Sequence, residues 1–157
     1  MGRLETMRLI LRKPQEADAE TITEIRNSDF VQKHEEVEPK NLENMKNRIE
    51  KNKNQSLVLE KKFDHSIIGV VAFDGEPEDR KITSYDLSYY LTEEESRKGY
   101  MSEALTAVIR HLFIKGAQTI SATTSEENKA SCALLDGLGF SQDEKSDGDC
   151  VYSIENN

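Results

Sequence analysis

Cysteine is scarce in this sequence, and long apolar runs are missing from it. The two cysteines among the 157 residues, Cys132 and Cys150, form neither a CxxC pair nor a set with metal-ligand spacing. A disulfide-rich secreted fold is therefore excluded. No stretch approaches the ~18 apolar residues of a membrane span, and the N-terminus has no apolar signal segment. We therefore expect a cytoplasmic protein that does not bind a membrane.

Acidic residues outnumber basic ones. The 30 aspartates and glutamates against 21 lysines and arginines give a formal charge of −9. Nucleic-acid binding needs a basic face, so this balance argues against it, whereas a cationic substrate such as an amine is compatible with it. The three histidines, His34, His65 and His111, lie far apart in sequence and make no metal motif. We therefore expect no bound metal.

Apolar residues follow strand and helix periods in turn along the chain. They predict strands at 7–12, 56–61, 66–73, 82–91, 119–124 and 151–154, and helices at 16–28, 42–52, 102–115 and 128–138. We interpret Val31–Lys40 as a loop and Gly75–Asp79 as a turn, and Gly69 indicates a bulge or a close backbone approach. The order predicts one domain over residues 1–157. Its fold class is mixed α/β, with a largely antiparallel central sheet and helices on both faces.

The strand 82–91 has two different faces, because successive side chains of a strand point to opposite sides. One face is apolar and aromatic and carries Tyr85, Leu87, Tyr89 and Leu91. The other carries Ser84, Asp86, Ser88 and Tyr90. We interpret this second face as the one that lines a polar site.

A basic loop joins this strand to the clearest helix of the sequence. The loop carries Arg97, Lys98 and Gly99, and the helix starts near residues 100–102. The first turn of a helix leaves backbone N–H groups unpaired, and together with the helix dipole they form an anion site. Gly99 lets a ligand approach without a Cβ in the way. This arrangement suits a pyrophosphate; the alternative is an ordinary loop with two exposed basic residues.

Six segments in the right order and spacing resemble motifs of the GNAT N-acetyltransferases, within them the branch of the RimJ and RimL ribosomal-protein acetyltransferases. They are Thr6–Arg12 for T-x-R-L-x-L-R, Asp18–Glu20, Ile67–Gly69 for the I-G strand, Asp86–Leu91 for E-L-G-Y-W-L, Arg97–Ala104 for R-G-K-G-Y-A-T-E-A, and Asn128–Ser131 with Gly139–Phe140 for N-x-x-S and G-F. The resemblance implies a GNAT-like fold and acetyl-coenzyme A as cosubstrate.

The resemblance also implies which residues hold the coenzyme. Backbone groups near Tyr90 and Leu91 would bind its pantetheine arm like an added strand, and an N–H there would support the oxyanion. Asn128 would bind the coenzyme or hold the loop. The phosphates would lie on the loop and helix start, at Arg97, Lys98, Gly99, Tyr100, Met101 and Ser102.

Two catalytic roles follow from the same resemblance. An alkylammonium has a pKa near ~10, so the amine needs a base at neutral pH. Asp86 occupies the family's acidic position and is the candidate base, directly or through a water; alternatively it is a solvated or salt-bridged strand carboxylate. The family often places a Tyr general acid where this chain has Leu135. Ser131 is the candidate for that role; alternatively it caps or packs its helix.

The coenzyme loop departs from the family pattern Q/R-x-x-G-x-G/A at both ends. Ser96 replaces a long polar side chain, and Met101 puts bulk where a small residue is usual. The preceding Glu93–Glu95 is acidic, and we expect it to face solvent because an inward carboxylate would oppose phosphate binding.

The leading hypothesis is an acetyl-CoA-dependent N-acetyltransferase that acts on a primary amine by direct attack in a ternary complex. The amine is a protein N-terminus or a small amine, and Phe30–Lys40 is where its specificity would lie. One alternative is a degenerate module that binds an acyl-CoA or a protein without catalysis. Another is an interaction domain with no coenzyme. We expect a monomer or a homodimer.

Overall fold

The structure is a computed structural model that describes residues 2–35, 37–52, 54–78 and 81–157. Its strands are β1 (Leu4–Glu5), β2 (Leu9–Arg12), β3 (Ser56–Lys61), β4 (Ile67–Glu78), β5 (Lys81–Leu91), β6 (Thr119–Ser125), β7 (Ser141–Ser146) and β8 (Asp149–Glu155). Its helices are α1 (Ala19–Asn27), α2 (Asp29–His34), α3 (Leu42–Asn52), α4 (Tyr100–Ile114) and α5 (Lys129–Gly137), with short 3-10 helices at Glu16–Asp18 and Glu93–Glu95.

The chain divides into two compact units, and both β4 and β5 contribute residues to each. The first unit is Met1–Ala72 with Tyr89–Ala107, and the second is Phe73–Ser88 with Val108–Asn157. In the first, β1, β2, β3 and β4 pair antiparallel in that order. In the second, β5 pairs parallel with β6, and β8 lies antiparallel between β6 and β7.

The strand order β1-β2-β3-β4-β5-β6-β8-β7 confirms the predicted mixed α/β class with a largely antiparallel sheet. That residues 1–157 form a single domain stays a prediction.

The core of the first unit covers both faces of its strands. Val58 of β3 packs in one cluster with Val70, Ile22 of α1 and Met45 of α3. Its neighbours Leu57 and Leu59 point to the opposite face and are also buried. Full burial of one such side chain stabilises the fold by roughly 1.5–3 kcal/mol, so these alternating positions hold the sheet between two apolar layers.

Helix α2 corrects the loop prediction at residues 31–34, whereas the described residues from 35 to 40 form no helix or strand, as predicted. The side-chain oxygen of Ser28 accepts a hydrogen bond from the N–H of Val31 at 3.3 Å and so caps the helix. Val31 is buried, and it anchors a helix whose other residues are largely polar. With one buried residue in six positions, the segment has no apolar period from which a helix could be predicted.

The turn predicted at Gly75–Asp79 is also wrong where it can be compared. Residues 75–78 belong to β4, and Asp79 lies outside the described residues. A Cβ on Gly75 would come within 2.5 Å of the side chain of Ile82, so this glycine permits a close approach between two strands. Strands β1 and β7 were not predicted, since one is two residues long and the other, with sequence SQDEKS, has no apolar residue.

Gly69 was predicted to mark a bulge or a close backbone approach, and the structure shows both. The β3–β4 ladder shifts register between Leu59 and Glu60, and Leu59 is the partner of Gly69. A Cβ on Gly69 would lie 2.5 Å from the carbonyl oxygen of Tyr90, so only glycine fits there. As for the helices within the described ranges, none has the length and apolar content to cross a membrane.

Candidate functional site

The anion site predicted from the sequence lies at the start of α4, and that an anion binds there stays a prediction. The helix begins at Tyr100, directly after Gly99, and the N–H of Glu103 bonds to the Gly99 carbonyl at 3.1 Å. Among the described residues, no oxygen accepts a hydrogen bond from the N–H of Tyr100, Met101 or Ser102. These are the donors that a helix start presents to an anion, and the helix dipole adds to their attraction.

The loop before the helix has an unusual backbone. Arg97 has φ +64° and Gly99 has φ +83°, both in the left-handed region. Glycine adopts this conformation without strain, whereas for Arg97 it costs on the order of 1 kcal/mol. The side chains of Arg97 and Lys98 are exposed, and the Lys98 ammonium is in an ion pair with the Glu95 carboxylate.

The side chain of Arg8 contacts this loop and the first residue of α4. Its Nη1 donates to the carbonyl oxygen of Lys98 at 3.0 Å, and its guanidinium carbon lies 4.1 Å from the centre of the Tyr100 ring. A Cβ on Gly99 would lie 3.4 Å from its Nη2. One side chain at the entry to β2 therefore contacts three successive residues of the loop and helix start.

Glu103 holds Arg8 in place. Its Oε1 accepts from Arg8 Nε at 2.8 Å, and its Oε2 accepts from the Arg8 backbone N–H at 2.8 Å and from the Thr6 hydroxyl. Burial acts to raise the pKa of Glu103, but the hydrogen bonds from Thr6 and Arg8 outweigh it and lower the pKa below its usual value. The carboxylate is therefore charged at neutral pH.

Glu95 corrects the expectation that Glu93–Glu95 faces solvent. Glu93 and Glu94 are exposed, but the side chain of Glu95 is only 15% exposed. Its carboxylate lies 3.3 Å from Lys61 Nζ and 3.5 Å from Lys98 Nζ. The three glutamates form a 3-10 helix, in which successive residues point about 120° apart, so all three cannot face the same way.

The two departures from the family's loop pattern have local explanations. The Ser96 hydroxyl donates to the Glu93 carbonyl at 2.6 Å, which closes the 3-10 helix. The side chain of Met101 is 8% exposed, so its bulk is buried within the protein. Ser102 is half-buried, and its carbonyl accepts from the Thr106 hydroxyl.

Tyr90 departs from the predicted polar face of β5. Its ring is buried in the cluster of α1 and α3, with the Arg26 guanidinium carbon 5.7 Å from the ring centre. Burial raises the pKa of Tyr90, and Arg26 opposes that shift only in part. Leu91 is half-buried at the end of the strand. The prediction for both residues concerns their backbone, and it stays a prediction.

Asp86 lies on β5 in the second unit. Its side chain is exposed, as is that of Ser88, so this part of the strand has the polar face that was predicted. The parallel ladder to β6 pairs Asp86 with Ser121 and ends at Leu87, before β5 itself ends at Leu91.

Asn128 and Ser131 come together at the start of α5. The Asn128 side-chain oxygen accepts from the Ser131 N–H at 3.2 Å and caps the helix. Both are buried, and Asn128 is 6% exposed. Leu135 is buried in the core, where it offers no proton donor. The capping that was the alternative for Ser131 falls to Asn128, and the proton-donor role of Ser131 stays a prediction.

Several residues of the site were missed by sequence reasoning. Thr6, Arg8 and Glu103 lie within the quoted motifs, so their motif positions were a usable signal, but no role followed from them. Lys61 carries no sequence signal, and Glu95 was noted only as part of the acidic Glu93–Glu95, which was expected to face solvent. In the second unit, burial raises the pKa of Tyr152 to about 12, and the nearby Cys132 thiol adds to the shift. Within the described ranges, no three His, Cys, Asp or Glu side chains are grouped as a metal site requires.

Comparison with known proteins gives the same family as the motifs. The family profile described as "Acetyltransferase (GNAT) domain" matches residues 8–141. The uncharacterized N-acetyltransferase YoaA of Bacillus subtilis (strain 168) is 27% identical over 151 residues, with 89% of this chain and 83% of that protein covered.

Solved structures share the fold. A GNAT-family acetyltransferase from Bacillus anthracis matches with TM-score 0.86 and 20% identity, over 98% of each chain. RimL, the ribosomal L7/L12 α-N-protein acetyltransferase solved in complex with coenzyme A, matches with TM-score 0.80 and 18% identity, over 98% of this chain and 97% of that one. The family profile thereby confirms the resemblance to the GNAT acetyltransferases, and the solved structures confirm the fold.

Proposed function

This chain belongs to the GNAT acetyltransferase family, and we propose that it moves an acetyl group from acetyl-coenzyme A to a primary amine by direct attack in a ternary complex. The acceptor is a protein N-terminus or a small amine. The observation that carries the proposal is the start of α4, where N–H groups that have no acceptor among the described residues lie beside Gly99 and two exposed basic residues.

That combination fits the pyrophosphate of a coenzyme. Backbone donors provide directed hydrogen bonds, and Arg97 and Lys98 provide charge in a protein whose formal charge is −9. The buried Met101 leaves the approach to the helix start clear of its side chain. At the end of β5, beyond its last pair with β6, the backbone at Tyr90 and Leu91 binds the pantetheine arm.

The reaction forms one C–N bond and breaks one C–S bond. The neutral amine attacks the thioester carbonyl, and the N–H of the β5 end stabilises the oxyanion. The amine proton passes to Asp86, through a water if the distance requires it, and the departing thiolate takes a proton from Ser131. Asn128 holds the start of α5 beside Ser131 and contacts the coenzyme.

Calorimetry with acetyl-CoA, followed by thiol release across a panel of amines, tests the proposal. We expect saturable binding and turnover with at least one primary amine. Asp86→Asn should keep the Kd and lower kcat by roughly 100-fold, since that is the usual contribution of a general base. Asp74→Asn, an exposed aspartate on β4, is the matched control and should change neither. No measurable affinity for acetyl-CoA would refute the proposal.

A binding module without catalysis is the second candidate. The buried Leu135 favours it, because the position where the family often places its general acid has no proton to give. Acetyl-CoA binding with no thiol release from any amine, at any pH between 6 and 9, would support this candidate.

A further inference from the structure

We propose that Arg8 is the positioning residue of the coenzyme loop, and that it acts by fixing the peptide between Lys98 and Gly99. The proposal rests on the function proposed above, since it concerns the same phosphate site. The residue that directly precedes β2 thereby has a role in coenzyme binding.

One hydrogen bond sets the direction of this peptide. Nη1 of Arg8 donates to the Lys98 carbonyl oxygen at 3.0 Å. In a planar trans peptide, the carbonyl and the N–H that follows it point in opposite directions. Because the Lys98 carbonyl points at Arg8, the Gly99 N–H points away from Arg8. It is thereby aimed at a ligand on the other side of the loop.

The guanidinium also ties this peptide to the helix. Arg8 Nε bonds to Glu103 at 2.8 Å, and the guanidinium carbon lies 4.1 Å from the centre of the Tyr100 ring. Thr6 and the Arg8 backbone both donate to the second oxygen of Glu103, so the carboxylate cannot turn away without losing them. The Gly99 N–H and the first N–H groups of α4 are therefore held as one set of donors.

The loop needs this support because of its own composition. Gly99 is the residue type with the most backbone freedom, and Arg97 is held in a left-handed conformation that most residues avoid. A loop that must be ordered on binding lowers affinity, whereas donors fixed beforehand bind without that cost. Arg8 supplies the fixed geometry through a planar fork, which a lysine cannot reproduce.

Arg12, the last residue of β2, is a matched control close to Arg8 in sequence. Its guanidinium makes two hydrogen bonds to Asp18, at 2.8 and 3.0 Å, and one to Glu60 at 2.8 Å. Those partners lie away from the loop in sequence, and within the described part of the chain neither of them bonds to it. Arg8→Gln and Arg12→Gln each remove one fork and its ion pairs, but only the first removes the bond to Lys98.

Calorimetry of the full chain with acetyl-CoA and with dephospho-CoA tests the proposal. Both ligands carry the pyrophosphate, and only the first carries the 3′-phosphate. We expect Arg8→Gln to weaken both by about 10-fold or more, the effect of losing a charge-assisted hydrogen bond. Arg12→Gln should lower Tm and leave both affinities within about twofold. In ¹⁵N-labelled wild type, inorganic pyrophosphate should shift the Gly99 amide signal, and in Arg8→Gln it should not.

Three results would overturn the proposal. The first is an equal loss of affinity in the two arginine variants, and the second is a loss for acetyl-CoA alone. The third is a Gly99 signal that pyrophosphate shifts as far in Arg8→Gln as in wild type. If Arg8→Gln does not fold, Arg8→Lys keeps the charge without the fork and should give the same pattern. Wild-type protein that binds neither ligand would refute the proposed function instead, so the two failures are distinguishable.

Discussion

The N-termini of α4 and α5 solve the same problem in opposite ways. Both helices start with backbone donors that need partners. At α5 a buried side chain of the protein, Asn128, accepts the N–H of Ser131. At α4, within the described part of the chain, no acceptor meets the first N–H groups, and exposed Arg97 and Lys98 surround them. At α5 the protein itself supplies an acceptor, whereas at α4 the acceptor that we propose is an anion of the ligand.

The largest expected effect is on acetyl-CoA affinity, and it is measured by comparing substitutions of the glycines at the two ends of α4. Gly99→Val places a branched side chain at φ +83° and against Arg8. Gly116→Val places the same side chain at φ +110°, where nothing lies within 4 Å. Each should cost on the order of 1–2 kcal/mol of stability. Calorimetry should find acetyl-CoA affinity at least about 10-fold lower in Gly99→Val alone, since only that change disturbs the fixed donors. Equal affinities in the two variants would remove α4 from the site.

The second prediction concerns the cap of α5. Asn128→Ala should lower the unfolding free energy by about 1–2 kcal/mol, because the capping oxygen is lost from a buried position. Asn128→Asp keeps a capping oxygen and should retain most of the stability in a urea titration. Its added charge would repel coenzyme phosphates if the side chain also touches them. A loss of acetyl-CoA affinity in Asn128→Asp would therefore support the proposed contact between Asn128 and the coenzyme, whereas an unchanged affinity would leave Asn128 with the capping role alone.

The features that could be predicted from the sequence are those that depend on neighbouring residues of the chain. Helix α3 and strand β3 were predicted with the observed bounds, because three apolar residues of α3 recur at helix spacing and β3 has a short apolar run at residues 57–59. The loop at Arg97–Gly99 was found because basic residues and a glycine precede a helix. These signals are local in sequence.

The partners of the loop could not be predicted, because they depend on contacts across long stretches of chain. Arg8 meets Lys98 and Glu103 only after β2 and α4 have been placed by the fold. Glu95 turns inward because Lys61, on β3, lies within reach of it. For α2 the reason is different, since a single buried residue, Val31, leaves no period to detect.

The third prediction uses pH to compare the two helix starts. The folded pKa of Glu103 is lowered, so its contribution to stability is fully present above its ordinary pKa of 4.5 and is lost as pH falls through the lowered value. Glu103→Gln should therefore be about 1–2 kcal/mol less stable than wild type at pH 7, and its deficit should be smaller at an acidic pH below 4.5. The deficit of Asn128→Ala should be the same at both pH values, because an amide does not titrate. Urea unfolding at the two pH values measures both.

The smallest expected effect separates charge from backbone strain at Arg97. Arg97→Ala removes the charge and keeps an L side chain at φ +64°, whereas Arg97→Gly removes the charge and the strain together. The relief of strain, about 1 kcal/mol, is offset by the freedom that glycine gains in the unfolded chain, so both variants should stay within about 0.5 kcal/mol of wild type. Both should weaken acetyl-CoA by the same two- to threefold, and added salt should reduce that difference, because an exposed charge is screened. A larger loss in Arg97→Gly than in Arg97→Ala would mean that the left-handed backbone itself orders the donors of α4. In that case strain in the loop, and not only the Arg8 contact, would distinguish this helix start from the capped start of α5.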